Sequence, residues 1–540
     1  MTHIRKLAFG AGGLALVTAM TGLPAGTAAA QELRIGLASE TTSMDPHFHN
    51  LGPNNQVRRH IFESLITQDE NMALIPALAT EWEALDDTTW QFTLREGVSF
   101  HDGTPFTARD VIYTVCRIPH VENSPSSFRT YTAAIADMEA VDDHTLIIRT
   151  DEPYPLLPTE LSTWGIISAD LWGAEELTFD REDCGGMGTL PQAPDFDAPE
   201  TVVGTGPFRF ASWQRGDRLV LERNDDYWGR VVDFERVVLR PITSSGPRVA
   251  ALLAGDVDMI ASPPVQDVDR IRNEGFEIVE ALSNRVLFLA MDFQEGSVPG
   301  IRGTDGENPL RDARVREAIS NAINREAIVE RIHGGLAEPA GELLAPPMFG
   351  TSGRAVDPYD PERARELLAE AGYPDGFQMT LAGMNDRYAN DADTAQAMAQ
   401  MLTVVGIQTD LDVMSNSQFW GRRNRNEFSI WFAGWGSATA EVSSPLVALA
   451  ATQNPELGHG ASNAGKHSNP ELDELIIKAM TTIDVDTREE LLVRAQQLAL
   501  ETYAVIPVLY PVLNWAYRPG LQYTPRTDED TLAYEVRLVE

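Results

Sequence analysis

"FQMTLAGMNDRYANDADTAQAMAQMLTVVGIQTDLDVM", residues 377–414, decides the fold of this chain. Its first seven residues form an apolar run of strand length. Thr394 to Gly406 reads as a helix stopped by glycine, and Ile407 to Met414 as a second strand. A short helix, "NSQFWGRRNRN", and a third strand, "FSIWFAGW" (428–435), come next. Strands alternating with helices imply a parallel sheet clothed by helices. In such sheets ligands bind beyond the carboxyl ends of the strands. "GWGSATAEVSSP" (434–445) continues from one of those ends, with Trp435 set between Gly434 and Gly436. The glycines let backbone approach a guest, and Trp435 is expected to face it. By strand alternation Trp431 belongs to the core.

Working outward, residues 33–300 hold short strand-like runs: "LRIGLA", "WQFTLR", "HTLIIRT", "RLVLER", "RVVLRPI" and "RVLFLAMDF". Proline- and glycine-rich loops such as "CGGMGTLPQAPDFDAPE" (184–200) separate them. Past residue 305 helices take over. Val315, Ile319, Ile323, Ile328 and Ile332 recur at helical spacing up to Gly334, predicting one helix. In "YDPERARELLAEAGYPDGF", Asp360 suits the N-cap, Pro361 the first turn and Gly372 the position after the C-cap. A helix is expected over 471–504. The proline-broken apolar stretch "AVIPVLYPVLNWAYRPG" (504–520) then reads as an extended crossing back toward the first half.

Residues 1–30 combine Arg5 and Lys6, the apolar run "LAFGAGGLALVTAM" and small residues ending in Ala28 and Ala30. This is the pattern of a secretory signal peptide cleaved after Ala30. The run is too short for a stable membrane span, which needs about 20 apolar residues, and no cysteine follows to accept a lipid. The mature chain is therefore expected to be periplasmic and not membrane-anchored. The chain has 42 Lys and Arg against 80 Asp and Glu; without Arg5 and Lys6 the balance is about −40. Nucleic acid is excluded as a partner, because neutralising phosphates needs a basic face. Cys116 and Cys184 are the only cysteines; in an exported chain they form either one disulfide or two buried thiols.

Catalytic chemistry is not legible. The chain has no G-x-S-x-G elbow, H-E-x-x-H, phosphate loop or C-x-x-C. His47 and His49 in "DPHFHN" fall short of the three or four ligands of a zinc site. No catalytic residue, metal or cofactor is assigned.

Four further stretches join "LATEWEALDDTTWQFTLREGVSFHDGTPFTARDVIYTV" (78–115): "VVGTGPFRFASWQRGDRLVLERNDDYW", "RVAALLAGDVDMI", "LRDARVREAISNAINREAI" and the 359–377 segment. Together, and in this order, they resemble the family 5 solute-binding proteins, the peptide- and nickel-type receptors of ABC importers. The resemblance covers nearly the whole mature chain. It implies an α/β, two-lobed periplasmic binding protein-like fold with a hinge and mixed sheets flanked by helices, closing over ligand. Lobe I would comprise 31–285 and a returning tail, 513–540, and lobe II would comprise 286–512. The partners implied are a small organic solute and the permease transmembrane subunits, with the receptor itself a monomer.

In dipeptide-binding members of the family, an arginine clamps the ligand carboxylate and an aspartate after the Gly-Trp pair receives its amine. Arg387 in "GMNDRYAN" matches the arginine; the alternative is a surface residue paired with Asp386 or Asp391. The aspartate position holds Ala438, and Glu441 stands where a second acid often occurs. Either Glu441 takes over the amine or the ligand lacks one. The expected ligand contacts are Arg387, Trp435, Gly436, Ser437 and Glu441, with Phe48 and His49 from the loop after the first strand; Phe288 and Asp292 are placed at the hinge. A carboxylate-bearing solute, foremost a short or modified peptide, is the expected cargo. Within the family the alternative is a nickel, haem or opine receptor, with His47, His49, His459 and His467 as the residues to watch. From other classes the alternatives are a periplasmic peptide hydrolase and a chaperone-like or signalling protein.

Overall fold

The computed structural model describes residues 31–539, so the signal peptide expected at 1–30 lies outside the described residues. The framework is a twelve-stranded mixed sheet that passes through both lobes. One half runs Ile407–Met414, Phe377–Met384, Ile430–Gly436, Arg285–Met291. The other runs Met259–Ala261, Glu32–Leu37, Arg236–Pro241, Arg218–Arg223, Phe208–Gln214. The long strand Ile506–Tyr517 joins them. Its first half pairs with Arg285–Met291 and Ala337–Pro339, and its second half with Met259–Ala261 and Glu277–Leu282. This is the extended crossing expected from "AVIPVLYPVLNWAYRPG". Prolines at 507 and 511 rule out a helix there and cost the strand only two donors.

The strands Phe377–Met384, Ile407–Met414 and Ile430–Gly436 are parallel, as the alternation with helices requires, while Arg285–Met291 is antiparallel to the last. Side chains divide by strand alternation. Val286, Phe288, Trp431 and Ala433 pack on one face of this sheet, and Leu287, Leu289, Ile430 and Phe432 on the other. Trp431 is buried, and Trp435 continues its face to the strand's end, where it is half-buried. The first part of the chain adds a separate four-stranded antiparallel sheet, Ala79–Asp86, Thr89–Leu94, Thr145–Thr150, Ile135–Asp142.

The helix Pro361–Glu370 is built as its punctuation demands. Asp360 accepts from the Arg363 amide, and Gly372 takes a φ of 97°. Two long helices are each broken in two. The stretch ending at Gly334 forms Ala313–Ala322 and Arg325–Arg331, because Asn324 turns out of the first helix and caps the second through the Ala327 amide. Residues 471–504 form Pro470–Met480 and Val485–Glu501, the second capped by Asp484 at the Thr487 amide. Apolar spacing alone passed over both internal caps.

Cys116, at the end of the helix Ala108–Arg117, is joined to Cys184 in the proline-rich loop by a disulfide. It ties down a 68-residue excursion. The Cys116→Ala, Cys184→Ala double variant is expected to lose about 2–4 kcal/mol of stability, read by chemical denaturation.

Candidate ligand cleft

The strand Ile430–Gly436 ends with Gly436 opposite Arg285. Beyond it the chain turns through Ser437–Ala440, and two hydrogen bonds from other parts of the chain fasten the turn. Asn284 Nδ2 donates to Ser437 O at 2.9 Å, and Gln68 Nε2 reaches Ala438 O at 3.2 Å. Residues 436–441 therefore form a lip held against the segments around 68 and 284.

Arg387 lies beside this lip, in the loop after Phe377–Met384. Its side chain is exposed and stacks over the Tyr388 ring, 5.2 Å from guanidinium carbon to ring centroid. Neither neighbouring acid pairs with it. Asp391 accepts from the backbone amides of Arg387 and Tyr388, and Asp386 from the Asn416 amide. Arg285 stands close by, opposite Gly436 in the sheet register, and holds Glu529 at 3.1 Å. Burial works against the Glu529 carboxylate, but Arg285 and then Arg387 outweigh it and hold its pKa below the usual range. Two guanidiniums thus face one carboxylate. Arg387 makes no ion pair among the described residues and is left to meet an anionic group from outside.

Gly434 and Gly436 have different reasons. A Cβ on Gly434 would sit 2.5 Å from Leu287 Cδ2 and 2.9 Å from Tyr388 Cζ; on Gly436 it would meet the Arg285 guanidinium at 3.0 Å. The glycines make room for the arginine–tyrosine layer. Gly434→Ala is expected to cost about 1–3 kcal/mol by overpacking, seen in the melt, and to weaken ligand binding by displacing Tyr388, whose hydroxyl donates to Gly434 O at 3.3 Å.

Trp435 donates its indole N–H to Ser444 Oγ at 3.0 Å. With Phe288, Trp420 and Trp431 it lines a cavity of about 20 Å³, too small for an organic solute. Any stacking on Trp435 has to come from the open side of the indole. A larger cavity, about 280 Å³, lies between Glu63, Tyr227, Arg526 and Tyr534, and shares only Gln68 with the contacts of the lip.

Ser437 and Glu441 are internally engaged. Ser437 Oγ ties to the Glu441 carbonyl and amide, and the Glu441 carboxylate forms a buried ion pair with Arg488 and accepts from Ser443. Arg488 also stacks over Phe349, whose strand bridge to Glu441 fixes the turn. Glu441 thus already holds one cation, Arg488, through Oε1.

Phe48 and His49 are half-buried in the loop after Glu32–Leu37. Phe48 O accepts from Ser124, and His49 Nδ1 bonds Thr42 Oγ1. Their loop is anchored by a fully buried pair, Asp45 and Arg117. His47 is walled in by it: Nε2 contacts Gly165 O at 2.7 Å and Nδ1 contacts Arg117 at 2.7 Å. Burial first, then Arg117, holds its pKa well below the ordinary value, so it stays neutral. His467 Nδ1 bonds Ala450 O. Phe288 is buried in the core beside the crossing strand, and Asp292 bonds Gln294 there. Sequence reasoning passed over Arg285, Tyr388 and Glu529, which meet only because segments far apart in the chain are brought together.

Comparison with known proteins fits this architecture. The model of "Bacterial extracellular solute-binding proteins, family 5 Middle" matches residues 73–456. The chain belongs to that family. The glutathione-binding protein GsiB of Escherichia coli (strain K12) is 27% identical over 520 residues, covering 94% of this chain and 95% of the relative. The periplasmic binding protein DppA from Helicobacter pylori, solved with the peptide STSA, superposes with a TM-score of 0.71 at 24% identity, covering 94% of this chain and 98% of that one. CtaP from Listeria monocytogenes superposes at 0.79 and 20% identity, covering 95% and 100%. This family 5 protein is accordingly a two-lobed receptor of an ABC importer, a periplasmic-type solute-binding protein and not an enzyme. It takes up a small solute and delivers it to permease subunits.

Proposed function

We propose that this receptor captures a carboxylate-bearing solute, a short or modified peptide, between Arg387 and Trp435, and hands it over from the periplasm as a monomer whose signal peptide is removed after Ala30. The observation that carries this reading is the unpaired Arg387 guanidinium, exposed at the lip and flanked by an already neutralised Arg285–Glu529 pair. A guanidinium fork matches a carboxylate through two parallel bonds. The indole of Trp435, fixed at its N–H edge by Ser444, offers an aromatic face beside it. Gly436, Ser437 and Glu441 shape the turn, and Phe48 and His49 supply the opposite wall. The similarity to glutathione-binding proteins supports a peptide-like cargo.

Lobe I is read as 31–285 with the tail 513–540, and lobe II as 286–512. The strand pairing of Ile506–Tyr517, which changes partners near residue 512, supports that division. Ligand bridging both lobes favours the closed form; moving a mostly open population to mostly closed takes about 5.5 kcal/mol of differential affinity.

Mass spectrometry of solutes released from the purified protein, followed by calorimetry with glutathione and with di- and tripeptides, tests the reading. Binding of free-acid peptides with loss of affinity in their C-terminal amides is expected. Equal binding of acid and amide, or no binding of either, would overturn it.

A further inference from the structure

The tail of the chain turns one acid toward the lip. In "RTDED" (526–530), Asp528 and Asp530 hold Arg59, and Asp528 also holds Arg526. Glu529, between them, binds elsewhere. Its backbone takes a φ of 70°, a left-handed conformation uncommon for a residue with a Cβ. Strain of this kind persists only where the surroundings over-determine it, and here they do. Oε1 accepts from Ser283 Oγ at 2.9 Å and from Arg285 Nε at 3.1 Å, and Oε2 from Arg285 Nη2 at 3.3 Å. Thr527, on the same turn, accepts from the Asn284 amide at 3.0 Å and donates its own to Glu70 O at 2.9 Å. Residues 284 and 285 in turn touch the lip. Asn284 holds Ser437 O, and Arg285 Nη2 would stand 3.0 Å from a Cβ on Gly436. One guanidinium therefore lies between the Glu529 carboxylate and the backbone next to Trp435. The row continues through Tyr388, whose ring centroid is 5.8 Å from the guanidinium carbon of Arg285 and 5.2 Å from that of Arg387. Glu529 keeps 37% of its side-chain surface exposed, so its charge is open to a solute at the lip.

We propose that Glu529 is the charge filter of the ligand site: its carboxylate occupies the Arg285 guanidinium from inside the protein, so that the solute brings one anionic group, to Arg387, and a second acid beside the first is rejected. This rests on the peptide reading above and narrows its cargo to peptides whose last residue carries the terminal carboxylate without an acidic side chain. Were Arg285 open, two guanidiniums on one tyrosine ring would suit two carboxylates of a single residue, since each fork takes one carboxylate through two parallel bonds. Glu529 closes that second berth and sets a like charge next to it, and like charges brought together in an interface repel strongly. The filter is ionised at neutral pH: burial works against its charge, and Arg285, Ser283 and Arg387 together outweigh burial. Tyr388, the other titratable group in the row, stays neutral, its pKa raised by burial. Glu441 takes no part, being paired with Arg488.

The test is titration calorimetry at pH 7 with Ala-Ala-Asn and Ala-Ala-Asp, which differ by one charge and hardly in shape. Wild type is expected to favour the asparagine peptide by about thirtyfold. Glu529→Gln keeps an acceptor for Ser283 and gives the Arg285 charge over to the solute. It should bind Ala-Ala-Asp about thirtyfold more tightly than wild type does and bring the two peptides within about threefold of each other. Arg285→Gln acts in the opposite sense: Glu529 is left unneutralised beside Arg387, and the preference for Ala-Ala-Asn should widen beyond that of wild type. A wild type indifferent to the charge, or a preference that survives Glu529→Gln, overturns the filter while the carboxylate reading stands. If wild type binds neither peptide, the peptide reading falls and the filter with it. Should Glu529→Gln fail to fold, Arg285→Gln decides, and a preference that stays the same or narrows there overturns the proposal.

Discussion

Arg387→Ala and Trp435→Ala are each expected to abolish the ligand-induced rise in melting temperature, but with different effects on the free protein. Arg387 is exposed, unpaired among the described residues and stacked only on Tyr388. Removing it leaves the free protein's melt within about 1 °C, since surface substitutions usually stay within about 0.5 kcal/mol. A ligand carboxylate left in the closed cleft without its fork loses about 2–5 kcal/mol, at least some thirtyfold in affinity. Trp435 is half-buried against Trp420 and Phe288 and bonded to Ser444. Its truncation removes apolar contact as well as the aromatic face, so the free protein should lose about 1–2 kcal/mol besides its affinity. Full thermal shift in both variants would remove the ligand site from this lip.

The largest loss of stability is expected from Asp45→Ala. Asp45 and Arg117 are both fully enclosed, joined by two bonds of 2.7 and 2.6 Å. Arg117 also donates to Pro191 O and lies over Phe196. Removing the carboxylate strands a buried guanidinium, which costs about 3–5 kcal/mol. It also frees the His47 amide, which Asp45 caps at 2.9 Å, and so loosens the loop that carries Phe48 and His49. Denaturant titration should show the stability loss, and calorimetry a weaker ligand affinity. The Asp45→Ala, Arg117→Met double variant should regain part of the stability, because the penalty lies in the unpaired charge. A single Asp45→Ala variant within about 1 kcal/mol of wild type would contradict this account.

Much of the fold was legible because its signals are local. The parallel strands of the second half follow from the alternation over 377–435, and the crossing strand from prolines that forbid a helix. The two helix breaks were missed because apolar periodicity runs through Asn324 and Asp484, and only their side-chain bonds to amides show that the helix restarts there. The disulfide was an open choice, since 68 residues of sequence carry no distance. In the cleft, Trp435 and Arg387 stood out because a glycine-flanked tryptophan at a strand end and an arginine in a motif are visible one residue at a time.

By itself, then, the sequence determined an exported-type, acidic, two-lobed receptor without catalytic machinery, and named the tryptophan and the arginine to watch. Only the tertiary structure decided which charges are already used. It paired Glu441 with Arg488 and Glu529 with Arg285, and left Arg387 without an ion pair among the described residues. The reason is physical: charge compensation depends on distances between residues 47, 244 or more positions apart in the chain. Spacing along a sequence does not encode such distances, whereas periodicity and punctuation act between neighbours.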